Sequence, residues 1–185
     1  MALQYTNTPT MPAKKPKKTF REQFDEEVTK SRGLAIAVDA ASVESLRELD
    51  HIIDQNQIEN VILILRTYWN NGAPKAVLEE ALRLAVKWKA RGIGEISLVH
   101  SVDYLGNVYC FYSRPGSNPF IACVGSGNLC ILDPLPAADW PYELSISTRK
   151  PEDLQSLEEE IQELAKPIHS VNLLDVRPEQ LTLLT

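Results

Sequence analysis

"IENVILILRTYW", residues 58–69, decides the fold. Ile58, Val61, Ile62, Leu65, Tyr68 and Trp69 match the i, i+3, i+4, i+7 template of an amphipathic helix, whereas "VILIL" is also what a parallel strand buried on both faces looks like. We read the stretch as helix because the periodic match runs through it end to end. "LAIAV", 34–38, is ambiguous between a strand and a buried piece of helix. If 34–38 and 61–66 were both strands, the helix between them would complete a βαβ unit and the fold would become α/β.

The segments around it read more simply. Phe20, Phe24 and Val28 step by four and predict a short helix ending near Gly33. Val43, Leu46, Leu49, Ile52 and Ile53 share a face; Ser45 and Glu48 have capping-box spacing, with Ser42 and Asp39 as other caps. Pro74 opens a helix to about Arg91 with Val77, Leu78, Ala81, Leu82, Ala85 and Trp88 as its apolar stripe. Acidic Glu79 and Glu80 come early in it and basic Lys87, Lys89 and Arg91 late, which complements the helix dipole.

The pattern changes at Gly92. "EISLVHS", "NVYCFYS", "PFIACVG", "NLCILD" and "YELSIST" are short β-branched or aromatic runs separated by turn residues, and they predict an antiparallel meander over 92–148. An acidic helix follows at 151–166, with Leu154, Leu157, Ile161 and Leu164 as a narrow seam, then a C-terminal arm, 167–185. The expected fold is therefore α+β: a helical N-terminal half, 20–91, packed on a C-terminal antiparallel sheet of four to five strands and closed by the acidic helix. Residues 20–185 form one domain in this reading, preceded by a disordered basic arm, 1–19.

Charge sorts unevenly along the chain. Lys14, Lys15, Lys17 and Lys18 are four of the 19 basic residues and lie in a stretch without acids, so the other 15 face all 25 acidic residues. A body near −10 repels phosphate and suits a basic partner, leaving the arm as the place for nucleic-acid contacts. No apolar run reaches the roughly 20 residues that span a bilayer, and three cysteines suggest no disulfide framework, so a cytoplasmic protein with reduced thiols and no membrane contact is expected.

No motif names a reaction. "CVGSGNLC", 123–130, reads as a hairpin that sets Cys123 opposite Cys130 as buried, inert thiols. A zinc site recruiting Cys110 and His100 would lack any standard spacing, and "GSGN" leads into a strand where a phosphate loop needs a helix. Asp103, Asn107, Arg114 and Asn118 lie in two loops of the meander and form a candidate pocket rim, with turn chemistry as the plainer explanation. We expect no metal and no cofactor. The absence of a catalytic constellation favours a non-catalytic binding or regulatory protein working through protein contacts or self-association, with Leu154, Leu157, Ile161, Leu164, Trp69 and Trp140 as the candidate interface. The alternatives are a nucleic-acid-associated accessory protein that uses the lysine arm, and an enzyme working through the meander loops or the cysteines.

Overall fold

The structure, a computed structural model of the chain, describes residues 2–5, 19–66, 68–101, 106–134, 144–177 and 180–184. Strands β2 (Gly33–Val38), β3 (Asn60–Leu65) and β5 (Gly94–Val99) run parallel at the centre of a mixed sheet, joined by helices α2 (Val43–Asn56) and α4 (Lys75–Arg91). Strand β6 (Asn107–Tyr112) lies antiparallel to β2 on its other side. It is followed outward by β7 (Pro119–Gly125), β8 (Leu144–Thr148) and β1 (Ala2–Tyr5), while β9 (Ser170–Asn172) edges β5. The order is β1-β8-β7-β6-β2-β3-β5-β9, and a separate parallel pair joins β4 (Ala73–Pro74) to β10 (Leu183–Leu184).

This overturns the α+β expectation: the fold is mixed α/β, with helices and strands interleaved. Residues 58–69 are not one helix: Asn60–Leu65 is strand β3. Val61, Leu63 and Leu65 point to one face of the sheet and Ile64 to the other, all buried, so the run is apolar throughout because both its faces are covered. The helical match came from its flanks. Ile58 closes the end of α2, its N–H on the Ile53 carbonyl at 3.0 Å, and Tyr68 and Trp69 belong to the short helix α3 (Tyr68–Asn71). "LAIAV" is likewise strand β2, and "EISLVHS" pairs in parallel with β3, outside any meander.

Two layers cover the sheet. Helix α1 (Phe20–Val28), α2 and α4 seal one face, where Leu34, Ile36, Val38, Ile96, Leu98, Tyr109, Phe111 and Cys123 meet Phe24, Leu49 and Trp88. Helix α5 (Pro151–Leu164) seals the other, over Ala35, Ala37, Ile64, Val99, Val108, Cys110 and Ala122. Thr19 and Glu22 form a capping box on α1, and Ser42 with Ser45 forms one on α2, a turn earlier than the Ser45–Glu48 pairing. Asp50 and Asp54 of α2 hold Lys87 of α4, at 2.7 and 2.8 Å, and Asp54 also binds Arg91. The late basic residues of α4 thus tie two helices together as well as matching a dipole.

The seam of α5 turns inward. Leu154, Ile161 and Leu164 are buried and Leu157 packs beside them against the sheet. A partner-binding seam fails for a simple reason: a sheet with apolar side chains on both faces needs a helix layer on each, and α5 supplies the second. No helix among the described residues is long and apolar enough to cross a membrane.

Candidate functional site

Register brings one set of polar residues to one edge of the sheet. Val38 pairs with Leu65 and Leu65 with Leu98, so the carboxyl ends of β2, β3 and β5 finish together. Ala37 pairs with Val108 and Asn107 with Gly125, so β6 starts and β7 ends at that edge. The chain steps from β2 to β3 to β5 in one direction, then returns past β2 to β6 on the other side. Open α/β sheets bind ligands outside the carboxyl ends of their strands where the order reverses in this way. Asp39, Arg66, Asn107, Ser126 and Asn128 leave the sheet there.

The first four are held by one hydrogen-bond system. Asn107 is 1% exposed; its Oδ1 accepts from the Asp39 N–H at 2.8 Å and from Arg66 Nη2 at 3.4 Å, and its Nδ2 donates to the Ser126 carbonyl at 3.0 Å. Arg66 is 2% exposed, and its backbone N–H bonds the Val38 carbonyl. Ser126 is clamped to β8: its N–H donates to the Leu144 carbonyl and its Oγ accepts from the Leu144 N–H, each at 3.0 Å. Tyr109 donates to the Gly127 carbonyl at 3.0 Å. The N-terminal ends of α2 and α4 open on the same edge, since each helix follows the strand that ends there. Ser42 at the start of α2 donates to Asp133, whose carboxyl is pushed up by burial, the Ser42 bond pulling the other way.

"GSGN" therefore has a different role from a hairpin turn. After Gly125 the chain leaves the sheet, Asn128 caps a 3-10 turn by accepting from the Cys130 N–H at 3.0 Å, and Leu129–Leu132 is that turn. Cys130 never faces Cys123, whose partners are Tyr109 and Ser147. Side-chain capping by Asn128 and the Leu129 N–H bond to the Ala40 carbonyl at 3.1 Å outcompete strand pairing. Cys110 and Cys123 project from opposite faces of the sheet, and burial pushes both thiols up to about 12. At pH 8 iodoacetamide is accordingly expected to label only the half-buried Cys130 in the native chain and all three cysteines after denaturation, as read by intact mass. Rapid native labelling of Cys110 or Cys123 would show that these strands open. Among the described residues no group of three His, Cys, Asp or Glu could hold a metal.

The sequence-derived rim divides. Asn107 joins the cluster, but Arg114 and Asn118 are exposed at the far end of β6 and β7. A six-residue strand is roughly 20 Å long, so loops on its two ends cannot line one pocket. Tyr68 is buried, its hydroxyl donating to the Ala41 carbonyl at 2.7 Å, and Trp69 is half-buried against His100 with ring centroids 5.7 Å apart, so neither is a free interface aromatic. His100 stands at the end of β5, three strands from β6 and so roughly 14 Å from Asn107. The four arm lysines, Asp103 and Trp140 lie outside the described residues. Arg66 was the residue to find from sequence: a cation directly after "VILIL" is a charge at the exit of a strand buried on both faces. The model of one protein family, described as the NgoFVII restriction endonuclease N-terminal PLD domain, matches residues 18–174 of the chain. No curated protein matches it.

Proposed function

The chain belongs to the NgoFVII restriction endonuclease N-terminal PLD domain family, and from that premise we propose that it acts on nucleic acid by holding a phosphodiester at the carboxyl edge of its sheet. This replaces the reading as a regulator working through protein contacts. The observation that carries the proposal is the buried Arg66 guanidinium fixed against Asn107 where the strand order reverses. Guanidinium, carboxamide and hydroxyl groups neutralise and orient a phosphate, and a planar fork of donors matches its oxygens two at a time. The positive ends of α2 and α4 add to the field at that edge. In this proposal the lysines at 14, 15, 17 and 18 contribute the sequence-independent attraction that an acidic body otherwise lacks.

Fluorescence anisotropy with a labelled DNA duplex tests this across a salt series. The expected affinity falls linearly with log salt, and replacing the four lysines with alanine makes that slope shallower by up to about 3.6. Ser126→Asp puts a negative charge on the exposed lip of the edge without touching the core, and is expected to weaken binding at least tenfold at low salt. Arg66→Lys keeps the charge but loses the fork and falls between. Absence of binding near 50 mM salt, or binding indifferent to both salt and Ser126→Asp, overturns the proposal.

A further inference from the structure

A cavity of about 350 Å³ opens at the opposite edge of the sheet, where β2 and β3 begin and β6 ends. Its floor is apolar, made by Ala35 and Ile62 of the sheet, and α5 forms its roof with Ile161 facing them. Glu158 and Gln162 are one helical turn apart on α5, flanking the apolar seam that docks the helix, so both reach the cavity from the same side. Asn60 at the start of β3 and Asn118 before β7 face them from the sheet. Tyr112 closes the inner wall, and its hydroxyl donates to the Glu158 carboxylate. Burial pushes the Glu158 carboxyl up, with the Tyr112 bond acting against it.

The lining contains one carboxylate, several carboxamides and no cation. An anion would be repelled there. A wholly apolar ligand would strip water from the carboxylate and the amides without replacing their hydrogen bonds. The complement is a compact, flat group that brings its own donors: its face lies on the apolar floor and two adjacent N–H groups meet the two carboxylate oxygens. The volume falls in the range of small-ligand sites. We propose that this cavity binds a planar group with paired N–H donors, a guanidinium or the guanine edge of a nucleoside, oriented by Glu158 with Asn60, Asn118 and Gln162 around its rim. The proposal stands independently of the phosphate site, which lies a full strand length away.

Isothermal titration calorimetry of the whole chain with methylguanidinium chloride and with guanosine tests it, against methylammonium chloride and adenosine, which lack the paired donors. At least one of the two probes is expected to bind ten times more tightly than its control, and the probe that does so identifies the source of the group. Glu158→Gln, nearly isosteric and partly exposed, is expected to weaken that binding at least tenfold with the melting temperature unchanged; Tyr112→Phe keeps the cavity, removes the hydroxyl and is expected to change affinity by less. Ser126→Asp leaves this binding intact, so failure of the phosphate site is distinguished from failure here. Neither probe exceeding its control, or Glu158→Gln binding as tightly as the native chain, overturns the proposal.

Discussion

Trp88→Ala is expected to lower the stability of the folded chain by about 3–5 kcal/mol, at the upper end for one core substitution. Trp88 is fully buried on α4 and is the largest fully buried side chain among the described residues. Its indole fills the space between α2, α4 and the sheet, and its Nε1 donates to Asp50 Oδ1 at 3.1 Å. Asp50 is itself nearly buried and takes both oxygens to Lys87. Truncation therefore opens a cavity and takes one donor from a buried carboxylate. Trp88→Phe separates the two effects, because it keeps most of the volume and loses the donor; about 1–2 kcal/mol is expected, since Asp50 retains Lys87. Urea unfolding followed by circular dichroism measures both. For a domain of this size Trp88→Ala corresponds to a drop in Tm of roughly 6–20 °C. A change within about 0.5 kcal/mol would mean that α4 does not seat on the sheet as described.

Helices were more legible in this sequence than strands, for a physical reason. The helices α1, α4 and α5 each lie between the sheet and water, so burial prints a 3.6-residue period on them, and Phe20/Phe24, Val77/Ala81/Ala85 and Leu154/Ile161 can be read directly. Strands β2 and β3 lie between two helix layers. Burial on both sides erases the alternation that marks a strand, and "VILIL" then accepts whatever period its neighbours suggest. Misreading that one element moved the whole fold from α/β to α+β, because parallel pairing of β2, β3 and β5 is what requires the crossovers. The outer strands β6 and β7 were legible because their turns are marked by Gly, Pro and Asn.

The site was legible only in fragments, since its members come from four separate strand ends. Asn107 was picked out, but joined to Arg114 and Asn118, which share its meander and not its edge. Arg66 carried no motif. "GSGN" hides its role because "NLCILD" has the composition of a strand; the stretch leads into a 3-10 turn capped by Asn128, and its backbone closes the hydrogen-bond system around Asn107.

Gly125 makes that last point testable, because one methyl group there reaches both the fold and the site. A Cβ at Gly125 would stand 2.2 Å from the Leu144 carbonyl oxygen and 2.6 Å from the Ser145 Cα. Both are backbone atoms of the paired strand, so no side-chain rotation relieves the clash and β7 must part from β8. Gly125 also pairs with Asn107, and the next residue supplies the carbonyl that Asn107 Nδ2 holds. Gly125→Ala is therefore expected to cost about 3 kcal/mol or slightly more, above the usual range for overpacking because the obstacle is main chain. It is also expected to weaken nucleic-acid binding at least tenfold at temperatures where circular dichroism still shows a folded chain. Gly116→Ala is the matched control. It sits in the turn after β6, with φ +73° and nothing within 4 Å of the added Cβ. It should cost about 1–2 kcal/mol for the left-handed backbone alone and leave nucleic-acid binding unchanged, because it lies at the far edge. If the two variants lose binding equally, affinity follows stability and the strand-end cluster is not the site. If only Gly125→Ala loses it, the loss maps to the edge shared by Asn107, Ser126 and Arg66.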